Sequence, residues 1–81
     1  MHTEMLWFDN SQISLEAKIR KAVEYYHKKY GRKPDLCLVH PSLMENGQTQ
    51  LEIDQLVVRP YRVVLPDHIW IGIEDKQTEA A

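Results

Sequence analysis

SLEAKIRKAVEYYHKKY, residues Ser14–Tyr30, is the stretch whose reading decides the fold. Leu15, Ile19, Ala22, Val23, Tyr26 and Tyr30 recur at three- and four-residue steps, which lines them along one stripe of a helix. Glu16, Lys18, Arg20, Lys21, Glu24, His27, Lys28 and Lys29 fill the remaining surface with charge and polarity. Both ends are marked. The Ser14 hydroxyl can accept from an otherwise unpaired backbone N–H, and Glu16 suits the positive helix end. Ser11 is a rival cap if the helix begins a turn earlier. At the far end Lys28 and Lys29 suit the negative terminus, Gly31 can take the left-handed closing conformation, and Pro34 forbids continuation.

Short apolar runs flank this helix. Met5-Leu6-Trp7-Phe8, ended by Asp9-Asn10-Ser11, reads as a first strand and turn. Leu36-Cys37-Leu38-Val39, between Pro34-Asp35 and His40-Pro41, reads as a buried strand. Strand, helix, strand is a βαβ unit, whose two strands run parallel with a right-handed crossover if they share a sheet as neighbours or near-neighbours. Residues 42–50 form a loop, with Asn46-Gly47 the strongest turn signal and a single helical turn allowed after Pro41.

From Leu51 the pattern turns to β. Four runs follow: Leu51–Ile53, Leu56–Arg59, Tyr61–Leu65 and His68–Ile73. Asp54-Gln55 can turn a tight hairpin, Pro60 marks an edge, bulge or boundary, and Pro66-Asp67 reads as the turn of an antiparallel pair. In the last run Ile69, Ile71 and Ile73 share one face, expected beneath the helix. Trp70 lies on the other face, grouped with Val64, Val57, Cys37 and Val39.

The expected architecture is α+β: a two-layer sandwich of one main helix on a mixed four-stranded sheet, βαβ followed by an antiparallel hairpin. All 81 residues form one domain, with 75–81 a polar tail. Four strands span about 20 Å, whereas a helix is about 10–12 Å across. One helix cannot shelter such a sheet, so a homodimer or a docked protein partner is expected on the uncovered face.

Composition narrows the function classes. A hydrophobic share of 43% and a charged share of 27% describe a globular chain. Cys37, the single cysteine, excludes an internal disulfide and fits a reducing, cytoplasmic setting. No stretch has the length of a membrane span, so no membrane partner is expected. The net charge is −2, yet Ser14–Lys33 carries a local +5 and the remainder −7. That polarity suits an acidic partner at the helix or head-to-tail association, while a solvated outer face is the more ordinary reading of it.

Three constellations follow. The first is non-catalytic: Arg59, Tyr61, Arg62 and Trp70 are residue types enriched where interfaces bury their anchors. They make the chain a small interaction or adaptor module that self-associates through the uncovered face and presents its basic helix to an acidic partner. The second is nucleic-acid binding, with Lys21, Lys28, Lys29, Arg32 and Lys33 meeting phosphates and Tyr25 stacking on a base. The third is enzymatic. Asp9, His40 and Ser42 follow the two parallel strands, where a carboxylate can orient an imidazole beside a hydroxyl. The structural reading outweighs it: Asp9 and Asn10 cap or turn the chain into the helix, and His40 bonds the backbone before Pro41. His2, His27, His40 and His68 lack metal-ligand spacing, Cys37 reads as core, and Gly31, Gly47 and Gly72 are isolated. No metal and no cofactor are therefore expected.

Overall fold

In the computed structural model the described residues are 4–44 and 48–73. They form β1 (Glu4–Phe8), α1 (Leu15–Tyr30), β2 (Leu36–Val39), a 3₁₀ turn (Pro41–Leu43), β3 (Leu51–Ile53), β4 (Leu56–Pro60) and β5 (His68–Gly72). The Asn46-Gly47 turn signal, His2 and the expected tail lie outside the described residues.

The helix ends where its signals place it. Ser14 Oγ accepts from the Ala17 N–H at 3.1 Å. Gly31 closes the helix at φ 71°, and its N–H donates to the His27 carbonyl at 2.8 Å. Left-handed backbone costs an L-residue roughly 1–2 kcal/mol, which glycine avoids. Ser11 is no cap. Its N–H donates to Asp9 Oδ1 at 2.9 Å, holding the turn out of β1.

The sheet has five strands in the order β1-β5-β2-β4-β3. β5 lies between β1 and β2 and is antiparallel to both, so β1 and β2 are parallel but not adjacent. β2 and β4 pair in parallel, and β3–β4 is an antiparallel hairpin. Asp54 and Gln55 turn that hairpin at φ 50° and 71°. Two successive positive values are what the right-handed twist of a two-residue hairpin demands.

Three expectations need correcting. The mixed sheet contains five strands, not four. Tyr61–Leu65 is not a strand: it is an irregular connection carrying the chain from β4 past β2 to β5, held by Tyr61 N–H to Val39 C=O (2.7 Å) and Val64 N–H to Tyr61 C=O (3.1 Å). Pro66-Asp67 accordingly ends that connection instead of turning an antiparallel pair. The third correction concerns faces. Cys37 and Val39 point toward the helix, in one core cluster with Ile19, Leu56, Val58 and Ile69.

Both core clusters sit between α1 and one face of the sheet. Ile19, Ala22 and Tyr26 are the buried residues of the helix. Ala22 and Tyr26 meet Ile71, with Met5, Val23 and Tyr30 packed around them. Among the described residues no helix is long and apolar enough to cross a membrane.

Candidate functional site: the open sheet face

Strand alternation, fixed by the register, assigns the second face. Leu6 stands opposite Trp70, Phe8 opposite His68, and Leu38 opposite both Trp70 and Arg59. Leu36, Val57 and Glu52 continue the same face toward β3. None of the described helices lies over it. A sheet of five strands is about 24 Å wide, and α1 covers only one side.

What lies bare is apolar. Leu6 is 61% exposed, Phe8 57%, Tyr61 51%, Val63 75% and Leu65 62%. The connection 61–67 curls over the end of this face. With Leu6, Leu38, His68 and Trp70 it encloses a hollow of about 340 Å³, lined also by Tyr61, Val63, Val64 and Leu65. Val64 is buried, while its neighbours Val63 and Leu65 project outward. Single exposed hydrophobics are ordinary; a contiguous group on one face is less so.

Polar atoms on this face are few. Trp70 Nε1 donates to Glu4 Oε1 at 3.4 Å, and the His68 ring lies 5.0 Å from the Phe8 ring. His68 Nδ1 is buried with no hydrogen-bond partner among the described residues, a costly arrangement for a polar atom. Arg59 Nε reaches Gln50 Oε1 at 3.4 Å.

The structure therefore brings together Trp70 and Tyr61 of the expected partner-binding set, since both line the hollow. Arg59 lies farther across the sheet on β4, and Arg62 is exposed in the connection. Leu6, Phe8, Val63 and Leu65 escaped the sequence reading. Their signal was present: Leu6 and Phe8 alternate with Met5 and Trp7, so β1 is apolar on both of its faces.

The enzymatic constellation is taken up locally. His40 Nδ1 accepts the Ser42 N–H at 3.0 Å and lies 2.8 Å from Ser42 Oγ, so the imidazole caps the 3₁₀ turn. With Nδ1 accepting, a neutral imidazole carries its proton on Nε2, so that nitrogen alone is left to face an orienting carboxylate. Asp9 binds Ser11 instead, and hydrogen bonds from the Ser11 side chain and backbone hold its carboxyl below the usual range. No described hydrogen bond joins Asp9 to His40. Cys37 is fully buried, and burial pushes its thiol up to about 12, far from a nucleophile's range at neutral pH. Among the described residues no cluster of three or more His, Cys, Asp or Glu could hold a metal ion.

The cations of the helix face solvent. Lys21, Lys28, Lys29, Arg32 and Lys33 are all exposed. Arg20 is neutralised, bonded to Glu16 at 2.8 Å and to Asp54 at 2.6 Å. Tyr25, 49% exposed, leans on Trp7 with ring centroids 5.2 Å apart, and both line a shallow hollow shared with Lys21 and Lys28. No protein-family model matches this chain, and comparison with curated proteins and with solved structures finds no match either.

Proposed function

We propose that this chain is a small non-catalytic interaction module that self-associates through its open sheet face. In that arrangement it presents the basic helix to an acidic partner in a reducing, cytoplasmic setting. The supporting observation is the contiguous apolar group around Trp70, built from Leu6, Phe8, Tyr61, Val63 and Leu65. Burying such side chains contributes about 25 cal/mol for each Å² of apolar surface removed from water. A second copy brings an identical apolar patch, which is what a two-fold interface requires. The opposite layer then carries the exposed lysines Lys21, Lys28 and Lys29 of α1 outward on both protomers.

Light scattering across a dilution series is expected to show a dimer dissociating to monomer. Val63→Asp with Leu65→Asp, at two exposed positions outside the core, should shift dissociation by about tenfold or more, since a charge there must be desolvated. A monomer at every concentration would remove the proposal.

The second reading, nucleic-acid binding, is favoured by Tyr25 standing exposed between Lys21 and Lys28. Rings and cations on one surface can stack bases and pair phosphates. Reversal of Lys28 and Lys29 to Glu is then expected to abolish a salt-sensitive association with single-stranded RNA or DNA. Absence of any retention at low salt ends this reading.

A further inference from the structure

β1 is an outer strand, and among the described residues its free side is engaged at the Glu4 carbonyl by Tyr30 Oη but is open at Leu6 and Phe8. The Asp9 N–H donates to the Asp67 carbonyl at 2.9 Å, continuing the β1–β5 ladder by one pair beyond Phe8–His68. Hydrogen-bonded and non-bonded pairs alternate along an antiparallel ladder. Trp7 and Met5 therefore bond to β5, while Leu6 and Phe8 turn their N–H and C=O groups away from it. Two further contacts agree with this phase. The Gly72 carbonyl, opposite Glu4, is taken by the Asp35 N–H on the β2 side at 3.0 Å, and the Glu4 carbonyl meets Tyr30 Oη outside the ladder at 3.4 Å. The backbone groups of Leu6 and Phe8 have no protein partner among the described residues.

Sheet edges are normally protected by shortness, charge, proline or a bulge. The opposite edge shows such devices. β3 has three residues, carries exposed Glu52 at its centre and ends at the Asp54–Arg20 ion pair. β1 has five residues, no lysine and no proline, and it pairs along its whole length without a bulge.

We propose that β1 is the joining element: a second copy of the chain lays its own β1 antiparallel along this edge, merging two sheets into one of ten strands. The inference goes beyond the face contact proposed above: edge pairing joins the sheets side by side and leaves the apolar group around Trp70 free for that contact. A two-fold axis through Leu6 gives the fullest overlap of a strand spanning residues 4–8. In that register Leu6 bonds to Leu6 of the second copy and Phe8 bonds opposite Glu4 of the second copy, so no like charges meet. On the helix side Met5 falls opposite Trp7 of the second copy, a favourable sulfur–aromatic pair. The strand is thus complementary to itself, backbone and side chain.

Residue-resolved amide hydrogen exchange of the unaltered protein tests this, with light scattering on the same samples above and below the dimer's dissociation range. The Leu6 and Phe8 amides are expected to slow by roughly tenfold or more only where the dimer is populated. A dimer in which both amides exchange as fast as in dilute monomer overturns edge pairing and leaves self-association through the face standing. Equal protection at both concentrations overturns it as well, because the edge is then closed within one chain. Fast exchange together with a monomer throughout defeats edge pairing and self-association together.

Discussion

Replacing Tyr26 by alanine is expected to remove about 3–5 kcal/mol of folding stability, a large part of what a domain of this size holds. Tyr26 is the largest fully buried side chain, at 0% exposure, and stands where α1 meets the sheet. Ala22 and Ile71 share its cluster, and the Tyr30 ring leans on it with centroids 4.7 Å apart. Aromatic-to-alanine changes in a core cost about 3–5 kcal/mol, since apolar area is lost and a cavity remains. An 81-residue domain has only about 4–12 kcal/mol to lose. Tyr26→Phe keeps the ring and gives up the hydroxyl's interaction, so a smaller cost of about 1–2 kcal/mol is expected. Urea titrations followed by tryptophan fluorescence check both variants. A loss below about 1 kcal/mol for Tyr26→Ala would show that the helix does not depend on this contact.

The second large effect is a loss of stability in alkali, carried by Cys37. Burial pushes its thiol from an ordinary value of 9 up to about 12. An unfolded chain ionises this group above pH 9, whereas the folded chain keeps it protonated. The folded state therefore binds the extra proton, and its stability falls with rising pH. The contribution is complete below pH 9 and declines by about 1.4 kcal/mol for each pH unit until about pH 12. Near pH 11 the loss is about 2.7 kcal/mol.

Burial also raises the Tyr26 hydroxyl, which acts in the same direction in any variant that keeps it. Cys37→Ala isolates the thiol. At pH 7 the variant should be less stable than the parent by about 1 kcal/mol, the cost of a small cavity. By pH 11 the order should invert, because the variant has no thiol to ionise. Urea midpoints that fall in parallel for both proteins between pH 8 and 11 would contradict this account.

Much of the fold is local in origin. Ser14, the apolar stripe, Gly31 and Pro34 each act through neighbours a few residues away, so the helix is readable from the order of residues alone. The same holds for the Asp54-Gln55 hairpin and for the isoleucines of β5, whose alternation with His68 and Trp70 sets their face. The excess of apolar sheet over one helix was equally legible, being a matter of widths.

What the sequence could not decide was pairing between distant segments. In Leu36-Cys37-Leu38-Val39 every residue is apolar, so alternation gives two faces without saying which meets the helix. Only the ladder to β4 and β5 turned Cys37 and Val39 inward. Tyr61–Leu65 has strand-like side chains, yet β5 lies beyond β2, and the chain must spend those residues crossing to it. That crossing places Tyr61, Val63 and Leu65 beside Trp70 and creates the hollow. Strand order arises from long-range contacts whose energy no short window of sequence contains. The helix, the hairpin turn and the excess of apolar sheet over one helix follow from the residues in sequence; the free edge of β1 and the shape of the bare apolar surface follow from where β5 inserted.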